Sequence, residues 1–154
     1  GCIFKGEWFN IIKELPNNLR ASDLKWDFYL DTAYTNKQEN DATAMLCAAF
    51  HNNDLYIREV RAVRLEFPEL IKEIESFAMM NGYTNRSRIY VEPKASVSAF
   101  VESGRVSLLD GRYIDSFLNE LKGFPNANHD DQVDVLVMAI DKNTNRRKKV
   151  RAMA

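Results

Sequence analysis

Acidic residues at three points of the chain are the side chains best suited to chemistry. Asp31 ends an alternating segment, Glu92 follows a short apolar one, and Asp130 and Asp131 open a segment with helical spacing. Carboxylates held close together repel one another unless a cation neutralises them, and Mg2+ and Mn2+ prefer oxygen ligands. If the fold brings these acids together, we expect a site for two metal ions about 4 Å apart, which supports phosphodiester hydrolysis without a protein nucleophile.

Each acid also has a plainer structural interpretation. Asp31 could equally hold a turn, and Glu92 could be a solvated loop residue. Asp130 or Asp131 could cap the last helix, a role that is compatible with metal binding. His129 is better suited to orienting a carboxylate than to binding the ion, because Mg2+ prefers oxygen.

The strands that must position these acids follow from the spacing of apolar residues. Alternation over 25–35 predicts a strand that Asp31 ends, and apolar segments at 43–50 and 55–63 follow across short polar loops. Two short loops between three strands predict an antiparallel meander.

Helices and strands alternate in the rest of the chain. Apolar spacing over 66–81, with Pro68 in the first turn and Gly82 following as a C-cap, indicates an amphipathic helix at the start of this part. The remaining predicted elements are strands at 88–91 and 105–109, a helix at 114–122 and a last helix from Asp131. The predicted fold class is α/β, a mixed sheet flanked by helices, in an order similar to the ribonuclease H-like fold.

Composition limits the other classes of function. The 154 residues are 45% hydrophobic and 28% charged, which is typical of one soluble domain, and no apolar run approaches the roughly 20 residues of a membrane span. A net charge of -1 leaves nucleic acid binding open, because a total says little about separate faces. Cys2 and Cys47 form no disulfide or zinc framework, which favours a reducing compartment.

Four motifs follow one another in a distinctive order. They are D-T-A-Y-T-N-K-Q-E-N-D-A-T-A, V-E-P-K-A-S, E-S-G-R-V-S-L-L-D-G and F-P-N-A-N-H-D-D-Q-V-D-V-L. From about Phe4 to Lys142, the chain resembles the C-terminal nuclease domain of the large terminase subunit of tailed bacteriophages and prophages. The order of the motifs, and the last one in particular, makes this resemblance specific.

The resemblance implies a function and a site. Domains of this family have a ribonuclease H-like fold and cut concatemeric viral DNA with divalent metal during genome packaging. For this chain we expect double-stranded DNA as substrate and Mg2+ or Mn2+ as the metal. We also expect little sequence specificity, because no set of side chains resembles a helix that reads the major groove. The resemblance implies that the catalytic, metal-binding acids are Asp31, Glu92, Asp130 and Asp131. Asp41 matches a recurrent aspartate of the family and could support the ligands, although a turn is its more frequent role.

The sequence also offers basic residues for DNA binding, and the resemblance implies partners and a place of action. The candidates for contact with DNA phosphates are Lys94, Arg146, Arg147 and Lys148. For the three basic residues near the C-terminus, a solvated terminus is the more frequent alternative. In the full-length family protein the partners are DNA, an N-terminal ATPase domain, the portal and the small terminase subunit. The place of action is the host cytoplasm, at the procapsid portal.

Two departures from the family affect the domain boundaries. The chain has no G-x-x-x-x-G-K-[ST] loop and therefore resembles an excised nuclease domain. About thirty family residues are missing after V-E-P-K-A-S. The protein is either a truncated variant or lacks a loop near 96–98, and we favour the missing loop, since the short link cannot carry a parallel crossover. The predicted domains are a lead-in segment at 1–20, a nuclease domain at 21–145 and a frayed basic tail at 146–154.

Two other functions remain open. Another ribonuclease H-like nuclease, such as a junction resolvase or a transposase core, would share the acids but not the last motif. A non-catalytic module that docks the packaging motor to the portal would use the same fold without its acids. Because Asp31, Glu92, Asp130 and Asp131 are all present, the sequence favours catalysis.

Overall fold

The architecture is a mixed sheet with helices on both faces, in a computed structural model that describes residues 4–31, 42–91, 98–124 and 131–153. Side chains are described in these ranges except at 98–99 and 144–153. The strands are β1 (Asn10–Ile12), β2 (Asp27–Asp31), β3 (Thr43–His51), β4 (Asp54–Val63), β5 (Ile89–Tyr90) and β6 (Val106–Leu109). The helices are α1 (Phe67–Met80), α2 (Ser98–Glu102), α3 (Ile114–Gly123) and α4 (Asp131–Met153). The predicted fold class is confirmed.

The predicted meander forms the centre of the sheet. The strand order is β1-β6-β4-β3-β2-β5, with β3 antiparallel to both β2 and β4. The turn between β3 and β4 is Asn52–Asn53, and both asparagines have positive φ, 47° and 70°. Asparagine tolerates this left-handed conformation better than most residues, so a two-residue hairpin turn suits the local sequence.

The strand that precedes Glu92 lies beside β2, as the predicted ribonuclease H-like fold requires. β5 is parallel to β2, and its register pairs Phe28 with Ile89 and Tyr29 with Tyr90. The Phe28 amide also donates to the Arg88 carbonyl at 2.9 Å. The carboxyl ends of β2 and β5 therefore point in the same direction at one edge of the sheet.

Three features of the backbone differ from the sequence prediction. Residues 1–20 were predicted as a lead-in segment without a strand, but β1 pairs in parallel with β6 at the other edge of the sheet. The short helix α2 was not predicted either. The predicted frayed tail is helical, since α4 continues to Met153. β1 has three residues and α2 is little longer than one helical turn, so neither shows an apolar period.

Two hydrophobic clusters cover the two faces of the sheet. On one face, Tyr29 and neighbouring strand residues pack with α2, α3 and α4. On the other face, Phe28 and Trp26 pack with Phe77 and Ala78 of α1. Among the described residues, no helix is both long and apolar enough to cross a membrane.

Candidate active site

Asp31 is the last residue of β2 and is only 4% exposed. It pairs with Ala44 of β3, so its backbone belongs to the sheet. Side chains alternate between the two faces of a strand, which places Asp31 on the same face as Tyr29. Because Tyr29 packs in the cluster that contains α4, the Asp31 carboxylate lies on the α4 side of the sheet.

Two contacts attach α4 to the edge of the sheet formed by β2 and β5. The rings of Tyr29 and Tyr90 are stacked, with centroids 5.2 Å apart. The Asn143 amide donates to the Tyr29 hydroxyl at 2.9 Å, and the Lys142 ammonium lies 5.4 Å from the centre of the Tyr90 ring. Burial raises the pKa of Tyr29, so this hydroxyl stays protonated as a structural group.

Asp131, the first residue of α4, is 9% exposed. The helix start next to it is held by Glu120 of α3. The Glu120 carboxylate accepts from the Gln132 backbone amide at 2.6 Å and from that of Val133 at 3.3 Å. Burial raises the pKa of Glu120, while these bonds and the Gln132 side chain oppose the rise.

Glu120 was missed in the sequence, although a signal for it exists. The predicted helix at 114–122 was identified by its apolar stripe, which includes Phe117 and Leu121. Glu120 follows Phe117 by three residues, a spacing that keeps both side chains on one side of a helix. An acid beside an apolar stripe must find a buried partner, but the sequence does not say that this partner is the start of α4.

Only part of the predicted site falls within the described residues. Asp31 and Asp131 are described, and both are buried acids on the α4 side of the sheet. The predicted site residues outside the described part are Asp41, Glu92, Lys94, His129 and Asp130. The residues that lie in the helical backbone of α4, but whose side chains are not described, are Arg146, Arg147 and Lys148.

The donor chemistry of the described acids suits a hard cation. Asp31 and Asp131 offer carboxylate oxygens, the ligands that Mg2+ and Mn2+ prefer. Within 4–31, 42–91, 98–124 and 131–153, no three His, Cys, Asp or Glu side chains form a group able to hold a metal ion. A complete site therefore needs acids outside the described residues, and the predicted ligand set stays a prediction.

Comparisons with known proteins bear on the fold. No protein-family model matches the chain. No curated protein sequence matches it either. Solved structures do match it.

The large terminase nuclease of the thermophilic phage G20c, with bound zinc, has a TM-score of 0.58 at 13% identity, covering 89% of this chain and 96% of that one. The large terminase nuclease domain of Thermus phage P74-26 has a TM-score of 0.59 at 12% identity, covering 92% and 95%. The human cytomegalovirus terminase nuclease domain has a TM-score of 0.58 at 16% identity, covering 80% and 86%. The predicted resemblance is confirmed at the level of the fold: this chain has the ribonuclease H-like fold of large terminase nuclease domains.

Proposed function

We propose that this protein is a metal-dependent endonuclease, the nuclease part of a terminase large subunit that cuts double-stranded viral DNA during packaging. The observation that carries the proposal is a buried carboxylate, Asp31, at the carboxyl end of strand β2, in the fold of terminase nuclease domains. The order of the four sequence motifs supports the same function independently of the fold.

The proposed ligands are Asp31, Glu92, Asp130 and Asp131. The register of β2 and β5 supports the first two ligands. Tyr29 pairs with Tyr90, and Asp31 and Glu92 each come two residues after one of these tyrosines. A parallel register continued by two residues would bring these two acids level with each other. Asp131 supports the third point of the site, since it begins the helix that packs on β2 and β3.

The proposed cofactor is Mg2+ or Mn2+, with two ions. The phage G20c nuclease contains bound zinc, which supports a metal requirement of this fold without specifying the ion used here. The chemistry that such ions supply when bound is activation of water and neutralisation of charge at the phosphate. The chain's own acids would hold the ions. Asp41 and His129 would orient these acids.

The proposed substrate is DNA, read through its backbone. Lys94, Arg146, Arg147 and Lys148 are the proposed phosphate contacts, and such contacts carry no sequence information. The wider setting follows from the terminase assignment: an N-terminal ATPase domain, the portal, the small subunit and the host cytoplasm.

A plasmid-nicking assay tests the proposal. We expect the purified chain to convert supercoiled plasmid to nicked and linear forms with Mn2+ or Mg2+, with scattered cleavage sites, and EDTA to abolish the cleavage. Cleavage that persists in EDTA would overturn the metal mechanism. A folded chain that never cuts with either ion would instead support the docking module.

A further inference from the structure

Glu120 makes an unusual set of contacts for a residue of a surface helix. Its Oε1 accepts from the backbone amides of Gln132 and Val133 at 2.6 and 3.3 Å. Its Oε2 accepts from the Gln132 side-chain amide at 2.6 Å. The same Gln132 amide donates to the Ser116 hydroxyl, one helical turn earlier in α3, at 3.2 Å.

These bonds fix the first turn of α4 from outside that helix. The first amides of a helix have no partner within it, and a carboxylate beside them is favoured by the helix dipole. Capping is usually local in the sequence, but here the acceptor is 12 residues away, on α3. Gln132 and Val133 directly follow Asp131, so the Glu120 carboxylate is bonded to the backbone next to Asp131.

We propose that Glu120 is a positioning residue that holds Asp131 in place for metal binding through its bonds to Gln132 and Val133. This inference rests on the proposed function, because it requires Asp131 to be a metal ligand. Displacing a ligand by about 1 Å can cost on the order of a hundredfold in rate. A residue that only stabilised the fold would lower the melting temperature without altering the metal concentration that cleavage requires.

Three variants of Glu120 separate position from charge. Glu120→Ala removes all three acceptor bonds. Glu120→Asp keeps the charge but withdraws the carboxylate by one methylene, so the start of α4 must shift to follow it. Glu120→Gln keeps an oxygen for the two backbone amides, and the Gln132 amide can turn so that its oxygen accepts from the new side chain.

The experiment measures plasmid nicking against Mn2+ concentration, with melting of the metal-free protein recorded in parallel. We expect the half-saturating Mn2+ concentration to rise about tenfold or more in Glu120→Ala and several-fold in Glu120→Asp, and to stay within about threefold in Glu120→Gln. The control is Glu75→Ala, which alters an exposed glutamate of α1. It is expected to match the unaltered chain.

Each outcome has a clear meaning. Unchanged Mn2+ dependence in Glu120→Ala, or in Glu120→Asp if the alanine variant does not fold, would overturn the inference while the proposed function stands. A lower melting temperature with unchanged Mn2+ dependence would have the same meaning and would indicate a purely structural role. No metal-dependent cleavage in the unaltered chain would overturn both proposals.

Discussion

The two ends of β2 each carry a buried aspartate on the same face of the sheet, Asp27 at the start and Asp31 at the carboxyl end. Asp27, at the start, is 6% exposed and accepts from the Lys25 ammonium at 2.6 and 2.8 Å and from the Arg88 amide at 2.8 Å. Asp31, the last residue of β2, is 4% exposed. The partners of Asp27 suffice to explain its burial, so the position of an acid at the carboxyl end of the strand matters as well as its burial.

The burial of Asp27 has a physical basis. A buried carboxylate needs a cation or several hydrogen-bond donors, and the fold supplies both to Asp27 within a few residues of its own strand and of β5. The bond from the Arg88 amide to Asp27 links the start of β2 to the start of β5. Asp31 lies at the carboxyl end of β2. The predicted ligand Glu92 comes shortly after β5, the parallel neighbour of β2, in the sequence. The first aspartate is expected to serve stability and the second catalysis.

The largest expected effect is the loss of cleavage in Asp31→Asn. The substitution preserves shape but removes a charge from the proposed site, whose acids repel one another without metal. We expect nicking to fall on the order of a hundredfold or more, while the melting temperature of the metal-free protein holds or rises. Nicking at the level of the unaltered chain, with the same Mn2+ response, would show that Asp31 is structural.

The opposite result is expected at the other end of the strand. Asp27→Asn keeps an oxygen for the Arg88 amide but loses the charge-assisted bonds from Lys25, at a cost of about 1–2 kcal/mol of unfolding free energy. Urea unfolding measures this loss, and nicking by the folded fraction is expected to stay within about twofold. A large loss of nicking at unchanged stability would remove the distinction between the two aspartates.

The smallest effect concerns Cys47 of β3, which pairs with Phe28 of β2 and is fully buried. Burial raises the pKa of this thiol well above its usual range, so the reactive thiolate forms mainly when the protein unfolds. We expect alkylation of Cys47 at pH 8 to be slow. The rate of alkylation is expected to rise as the pH approaches about 8.5, the ordinary pKa of an unfolded thiol. Peptide mapping separates its modification from that of Cys2.

Alkylation of Cys47 also links the two variants. The lower stability of Asp27→Asn is expected to speed modification about 5- to 30-fold, because the unfolded fraction grows by that factor. Asp31→Asn is expected to leave the rate unchanged or lower it. Equal acceleration in both variants would mean that the two aspartates contribute alike to folding.

The sequence by itself determined the elements whose signals are local. Alternation around β2, apolar segments at β3 and β4 and the two short loops between them predicted the meander. Helical spacing with Pro68 and Gly82 predicted α1 almost to its observed ends. Gly82 adopts a φ of +83°, a conformation that suits glycine at the end of a helix. The placement of Asp31 at a strand end and the neighbouring position of β5 were also predicted, because strand order follows from the ribonuclease H-like arrangement.

Only the tertiary structure decided the parts that depend on distant partners. β1 is a strand because β6, about a hundred residues further along the chain, supplies its hydrogen bonds, and three residues cannot show a period. The pattern of α3 places Glu120 beside its apolar stripe, but it does not show that this carboxylate accepts bonds from the first turn of α4. Tyr29 and Asn143, 114 residues apart, likewise form one hydrogen bond that fixes where α4 lies on the sheet. Local periodicity specifies which residues become strands and helices, whereas the packing of those elements decides which polar side chains meet.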